Sequence, residues 1–323
     1  MWKLSVKCMI EIDNKKNDVI FIILFILFLI ITVTPDILIP AAIAGMHLWA
    51  LRVVPGLIIG IIFVGCFNYY MPPDLSWGEI IIIVCSIMSG FPTGALICMQ
   101  YYKSHRNSDV LPSILAFCNI SSPGFTVNYI YYGLLQEYIT LPALLLCVYT
   151  PVVLLIGYEY IYKYCIKGYD GIHIKRHIKR QTRQIKYKYN EADNISFANI
   201  LNSSINNAVS AILKLGAYII CFSCMCAYIE YIFGGCSIIK LLISGLLEIT
   251  NGLYMIAAAN ITAQLKLIII LVVNAFGGIS TIMQTSGILK DNCCTFDIRQ
   301  YIKQKLKLSI VTAMVTIIIT LII

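Results

Sequence analysis

Long hydrophobic runs separated by short polar segments dominate this chain of 323 residues. The pattern predicts hydrophobic segments at 19–33, 52–68, 78–100, 112–134, 141–162, 206–233, 237–259, 265–284 and 307–323. Several of these have the length that a membrane-spanning helix requires. The stretch 34–51 predicts a short interfacial helix that holds His47 and Trp49 near the lipid headgroups. We therefore expect an all-α polytopic membrane protein.

The composition supports this class. Hydrophobic residues make up 59% of the chain and charged residues only 12%, whereas soluble domains carry about 25% charged residues. Most of the net charge of +8 lies in polar loops, where positive-inside topology explains it, so nucleic acid is not an expected partner. The stretch 163–188 holds nine Lys or Arg and one acid, Asp170. It predicts a basic cytoplasmic loop that also contacts anionic membrane lipids.

Helix-breaking and polar residues interrupt four of the hydrophobic segments. In the first half, SGFPTGA (89–95) interrupts 78–100 and FCNISSPG (117–124) interrupts 112–134. Unpaired backbone groups cost several kcal/mol in lipid, so a break at membrane depth requires protein, water or a bound solute. The second half contains EITNG (248–252) and FGGIS (276–280) in the same order. The predicted substrate-binding residues at these breaks are Gly90, Pro92, Thr93, Gly94, Asn119, Ser121, Ser122, Pro123, Glu248, Thr250, Asn251, Gly277, Gly278 and Ser280.

The distribution of basic residues restricts the topology. The N-terminus, the 163–188 loop and the basic segment 290–307 should all face the cytoplasm. If every hydrophobic segment crossed the membrane, odd numbers of crossings would separate these loops. The conflict disappears if the segments 78–100 and 237–259 are re-entrant hairpins. The two repeated units then have opposite orientation in the membrane. Such an inverted repeat of helix, re-entrant broken hairpin and interrupted helix is an architecture of secondary transporters.

The inverted repeat predicts a division of the chain into five parts. These are 1–51 with the first transmembrane helix and the interfacial segment, 52–162 with the first repeat, 163–193 with the basic loop, 194–284 with the second repeat, and 285–323 with a basic loop and the C-terminal transmembrane helix. Ordinary spans with Gly or Pro kinks are the alternative. One kink alone would carry little meaning, but four breaks in matching pairs favour the repeat.

Four ordered motifs carry a resemblance to a known family. SGFPTGA, FCNISSPGF, LLEITNG and NAFGGISTIMQ resemble the motifs of YlbJ-type sporulation integral membrane proteins, the family of sporulation stage V protein V, which carry the nucleoside-recognition Gate domain. The resemblance covers roughly 45–310, and Ser122 stands where that family has Asn before the proline. It implies a permease that moves dipicolinic acid from the mother cell across the outer forespore membrane of a sporulating bacterium. Relatives of the Gate domain also occur in nucleoside and ferrous-iron transport, so the fold leaves the substrate open.

A site for dipicolinate, a planar ring with two carboxylates, would use helix N-termini, hydroxyls, amides and a cation. The Ser and Thr side chains at the breaks could instead bond to neighbouring helices. Glu248 could carry a proton, bind a cation or cap the adjoining helix. Lys214 could extend to the interface or attract an anionic substrate.

Enzyme chemistry is not expected. HExxH, GxSxG and Walker A motifs do not occur in the sequence, and the cysteines of CFSCMC (221–226) have no neighbouring His that would complete a metal site. The sequence therefore predicts no cofactor and no metal. Two other functions stay open: a membrane factor that assembles with other sporulation proteins through its basic loop, and a nucleoside transporter, for which base-stacking groups are not evident.

Overall fold

The computed structural model describes residues 33–70, 78–105, 111–162, 196–233, 238–291 and 297–322, with single positions between 21 and 29. Regular structure in this part of the chain is entirely helical, which confirms the all-α class. Four helices are long and apolar enough to cross a membrane: Leu141–Ile161, Phe197–Ile232, Ala263–Lys290 and Ile298–Ile322. They support the prediction of an integral membrane protein. The basic loop 163–193 and most of the predicted helix 19–33 lie outside the described residues.

The N-terminal helical segment runs without interruption from residue 35 to residue 70. It consists of the α-helix Pro35–His47, the π-helix Leu48–Val53 and the α-helix Val54–Tyr70. The predicted separate interfacial helix at 34–51 is therefore continuous with the next hydrophobic segment. We call this segment the N-terminal helix.

The N-terminal helix packs along the helix Phe197–Phe233, which we call the long helix. The indole of Trp49 lies on Gly216, where a β-carbon would come within 2.6 Å of the ring. Trp49 Nε1 donates to the carbonyl oxygen of Ile212 at 3.0 Å. Trp49 is therefore half-buried against the long helix, because a glycine admits the ring and a carbonyl accepts its N–H.

Two pairs of short helices carry two of the predicted breaks. The first pair is Gly78–Ser89 and Thr93–His105, and the second pair is Ile238–Leu247 and Ile249–Ala258. The helices of each pair contact each other. In the first pair the chain reverses at Gly90, whose φ of +71° suits glycine. Each pair is thus a helical hairpin with its break at the tip.

Two further helices are interrupted. In the first interrupted helix, Leu111–Cys118 stops and the chain resumes at Pro123–Phe125, which continues as the π-helix Thr126–Leu135. In the second interrupted helix, Ala263–Phe276 is followed by Gly278–Asp291. Gly277 and Gly278 have φ values of +87° and +77°, a conformation that L side chains rarely adopt. The glycines therefore permit the chain to leave one helix and start another at once.

The C-terminal helix, Ile298–Ile322, packs against both interrupted helices and against Leu141–Ile161. The prediction of a loop over 290–307 is wrong from Ile298 onward, because Arg299, Lys303, Lys305 and Lys307 already lie in this helix. Its buried stripe, Tyr301, Lys305, Leu308, Ser309, Thr312 and Thr316, follows helical spacing. Lys305 lies on this stripe with 0% exposure. The basic residues of this segment indicated a loop, but Lys305 lies on the same helix face as buried core residues.

Candidate functional site

The helix breaks lie against one another and are joined by hydrogen bonds. The amide of Phe91, at the tip of the first pair, donates to the carbonyl oxygen of Ile120 in the first interrupted helix at 2.8 Å. Asn274 of the second interrupted helix donates through Nδ2 to Ser121 Oγ at 3.0 Å. A β-carbon on Gly278 would lie 3.3 Å from the carbonyl oxygen of Leu246, near the tip of the second pair. The four breaks therefore form one cluster, which we call the break cluster.

A cavity of about 550 Å³ adjoins the break cluster, a size typical of small-molecule sites. One wall is apolar and comes from the N-terminal helix and the long helix. The other wall is polar and aromatic. Its described residues are Phe91, Ser121, Ser122, Gly124, Phe125, Asn128, Tyr129, Tyr132, Glu248, Ile249, Thr250, Thr281 and Gln284. Four of the predicted binding residues, Ser121, Ser122, Glu248 and Thr250, line this cavity.

Glu248 caps the second helix of the second pair. Its Oε1 accepts from the amide of Thr250 at 3.1 Å and from Thr250 Oγ1 at 3.0 Å, and its Oε2 accepts from the amide of Asn251 at 2.7 Å. The side chain is only 2% exposed. Among the three roles that the sequence allowed, these contacts are those of an N-terminal cap, in which a carboxylate offsets the positive end of the helix.

The hydroxyls of the first interrupted helix also have partners in the protein. Ser122 Oγ accepts from the amide of Phe125 at 3.3 Å and caps the resumed helix. Ser121 Oγ pairs with Thr126 Oγ1 at 3.1 Å, besides accepting from Asn274. The two caps, Ser122 and Glu248, both line the cavity, so two helix N-termini border it.

Aromatic rings that the sequence reasoning missed form the rest of this wall. The rings of Phe125 and Tyr129 stack with centroids 5.0 Å apart, and Phe91 meets Phe125 edge-on at 6.3 Å. Tyr129 OH also donates to the carbonyl oxygen of Thr250 at 2.6 Å, which ties the first interrupted helix to the second pair. The spacing of Phe125, Tyr129 and Tyr132 by four and three residues was the available signal, since in an α-helix it would place the rings on one face.

Other predicted residues lie away from the cavity. Asn119 is fully buried and donates to Thr285 Oγ1 at 2.9 Å and to Tyr301 OH at 2.7 Å. Asn251 donates to Ser223 Oγ at 2.7 Å and lines a second cavity of about 630 Å³. The remaining predicted residues shape the breaks or pack beside them without lining the first cavity: Gly90, Pro92, Thr93, Gly94, Pro123, Gly277, Gly278 and Ser280.

The charged residues Lys214, Glu230 and Lys240 do not line the first cavity. Lys214, weighed as an attractor for an anion, is exposed on the long helix and is not among the cavity-lining residues described. Glu230 is paired with Lys240 at 3.2 Å beside the second cavity. No group of three or more His, Cys, Asp or Glu side chains within the described ranges is placed to hold a metal ion.

Comparison with known proteins gives no relative: no protein-family model, curated protein or solved structure matches this chain.

Proposed function

We propose that this protein is a membrane permease for a small planar organic solute, which binds in the cavity beside the break cluster. The observation that carries the proposal is the meeting of four helix breaks at one cavity of about 550 Å³. Broken helices at membrane depth are tolerated where they border protein or a water-filled cavity, and transporters place their substrate sites at such positions.

The order of elements supports an inverted-repeat transporter. A helix, a helix pair and an interrupted helix occur between residues 54 and 135, and the same order recurs between 197 and 291. If the two units have opposite orientation in the membrane, the tips of both pairs enter from opposite faces and meet near the midplane. Alternating access then takes place by movement of helices around this meeting point.

Dipicolinate is the first candidate substrate. A planar ring can stack on Phe125 or Tyr129, and a carboxylate is favoured at the helix N-terminus capped by Ser122, because that cap is neutral. The motif resemblance to YlbJ-type sporulation proteins leads to the same solute. On that basis the protein acts in a bacterial membrane, with the outer forespore membrane as the first choice.

A nucleoside is the second candidate. The aromatic wall supplies the stacking surface that the sequence reasoning could not locate, and the amides of Asn128 and Gln284 also line the cavity. Amide side chains can pair with the hydrogen-bonding edge of a base, because each offers both a donor and an acceptor. If no solute is taken up, the third candidate function is favoured, which is a sporulation assembly factor without transport.

Uptake into proteoliposomes tests the proposal. The purified protein is reconstituted, and uptake of labelled dipicolinate is measured with nucleosides as competitors. Saturable uptake of dipicolinate that nucleosides do not reduce assigns dipicolinate, and uptake that they abolish means that nucleosides bind the same site, which favours the second candidate. If neither dipicolinate nor nucleosides enter faster than into empty liposomes, the permease proposal is wrong for both.

Phe125→Ala and Phe63→Ala provide a matched pair of variants. Phe125 lines the cavity, whereas Phe63 is 72% exposed on the N-terminal helix. Loss of an aromatic contact worth about 0.5–1.5 kcal/mol should raise the KM of the Phe125 variant about 2- to 10-fold. The Phe63 variant should keep the KM of the unmodified protein. Equal KM values in both variants would mean that the transported solute does not bind in this cavity.

A further inference from the structure

A lysine is buried where the two interrupted helices meet the C-terminal helix. Lys305 is 0% exposed, and its ammonium donates to the carbonyl oxygen of Asn119 and, at 3.4 Å, to that of Ala275. Within the described ranges no carboxylate forms an ion pair with it. Because an isolated buried charge is costly, the surrounding acceptors must compensate for the lost water.

The two carbonyl groups lie where helices end. Asn119 is the first residue after the helix Leu111–Cys118, and Ala275 lies in the last turn of Ala263–Phe276. The final carbonyls of a helix have no partner within it and carry the negative end of the helix dipole. The ammonium therefore binds the negative ends of both interrupted helices, one from each half of the chain.

Residues that adjoin the two carbonyl groups also carry side-chain acceptors without a donor in the described part of the chain. Asn119 Oδ1 and Asn274 Oδ1 are buried, and neither has a donor among the described residues. The ring of Tyr301 lies 5.8 Å from the ammonium, within the range of a cation–π contact. The titratable groups that face Lys305 are Tyr301 on its own helix and Cys118 on the first interrupted helix. This environment of oxygens and an aromatic face suits a cation.

We propose that the carbonyl ends of the two interrupted helices form a cation site, which the chain fills with its own Lys305. The ammonium acts as a tethered cation that joins the C-terminal helix to both interrupted helices. When the side chain is shortened, the vacated space should accept a small ammonium or alkali cation. For transport, which rests on the function proposed above, the unmodified protein should then need no alkali cation at this position.

Thermal stability of Lys305→Ala in detergent tests the site without reference to transport. The variant should melt at a lower temperature than the unmodified protein. Added ethylammonium, methylammonium or sodium should restore the Tm in a saturable manner, and tetramethylammonium, which has no N–H, should not. Lys303→Ala is the control, because Lys303 is exposed on the same helix, and its Tm should not respond to these cations. Absence of restoration by every cation, or the same rise in the control, overturns the proposal.

Lys305→Met provides a second test if the alanine variant does not fold. Methionine occupies most of the lysine volume without the charge, so the variant should be less stable than the unmodified protein and should not respond to added cations. A rise in the Tm of the methionine variant with added cations would mean that the cations act elsewhere, and the cation site would be refuted.

Uptake measurements separate this inference from the proposed function. Uptake by Lys305→Ala should depend on the restoring cation, whereas uptake by the unmodified protein should be the same in sodium and in choline buffer. If cations restore the Tm but the unmodified protein takes up no solute, the cation site stands and the permease proposal fails. If the unmodified protein transports solute but no cation restores the variant's Tm, the permease proposal stands and the cation site is refuted.

Discussion

Gly252 packs against the backbone of the first helix of the second pair and leaves no room for a β-carbon. A β-carbon there would lie 2.1 Å from Gly245 Cα and 2.6 Å from Gly245 N, which are both backbone atoms. Carbon atoms in contact are normally about 3.5–4.0 Å apart. Gly252→Ala must therefore separate the two helices by about 1.5 Å to restore that spacing. No flexible side chain can absorb the change, because the neighbouring atoms belong to the main chain.

The expected change in the free energy of unfolding of Gly252→Ala combines two opposing contributions. Overpacking of a close contact typically costs about 1–3 kcal/mol, and a clash between backbones belongs at the upper end of this range. Alanine regains about 1 kcal/mol of helix propensity over glycine. The net expectation is a loss of about 2 kcal/mol, which reduces the ratio of folded to unfolded protein about 30-fold.

Gly157→Ala is the matched control. Gly157 lies in the helix Leu141–Ile161, and a β-carbon there would meet no atom within 4 Å. This variant keeps the same chemical change without the clash, so it should be neutral or more stable by up to about 1 kcal/mol. Equilibrium unfolding of both variants in mixed micelles measures the difference. Equal unfolding free energies for the two variants would refute the close packing at Gly252.

Two further predictions concern buried polar groups. Glu248→Gln should lower the unfolding free energy by about 0.5–2 kcal/mol, because an amide nitrogen cannot accept from the helix amides that the carboxylate now caps. Full gradient-driven uptake by this variant would also exclude proton transport by Glu248, whereas a loss of the pH-gradient response with intact binding would favour it. Asn119→Ala should lower the unfolding free energy by about 2–4 kcal/mol, because it removes the amide that donates to the buried hydroxyls of Thr285 and Tyr301. Asn128→Ala, at an exposed position, is its control in the same unfolding assay.

The positions of the helix breaks could be predicted because their causes are local. Proline lacks the backbone N–H, glycine adopts positive φ, and Ser or Glu can cap the next helix, so each break is encoded within a few residues. The capping role of Glu248 was among the alternatives that this chemistry allowed. The helix ends at residues 89, 118, 247 and 276 follow from such signals.

Contacts between distant parts of the chain could not be predicted in this way. The burial of Lys305 depends on the carbonyl groups of Asn119 and Ala275, which lie far from it in the sequence. A lysine near other basic residues therefore indicated a loop. Trp49 is a second example, since its position depends on Gly216 of the long helix. In both cases the tertiary partner decides the location of the side chain, and periodicity within one helix does not reveal that partner.

The distribution of hydrogen bonds around the cavity restricts how it can open. The bonds Asn274–Ser121 and Tyr129–Thr250 connect the first interrupted helix to the second interrupted helix and to the second pair, so movement of the first interrupted helix away from both would break both bonds. The opposite wall consists of apolar residues of the N-terminal helix and the long helix, and Trp49 joins these two helices through its bond to Ile212. Apolar surfaces can separate without leaving unpaired polar groups.

The long helix is also bonded to the second pair, through Asn251 and Ser223 at 2.7 Å and through the ion pair of Glu230 and Lys240 at 3.2 Å. A typical hydrogen bond contributes about 0.5–1.5 kcal/mol net, which is comparable with the few kcal/mol that separate two conformations of a protein. Movement of the N-terminal helix and the long helix as one body would break both of these contacts and leave the hydrogen bonds of the break cluster intact. Under the permease proposal, Asn251, which lies outside the first cavity, would hold the long helix against the second pair and would not contact the solute.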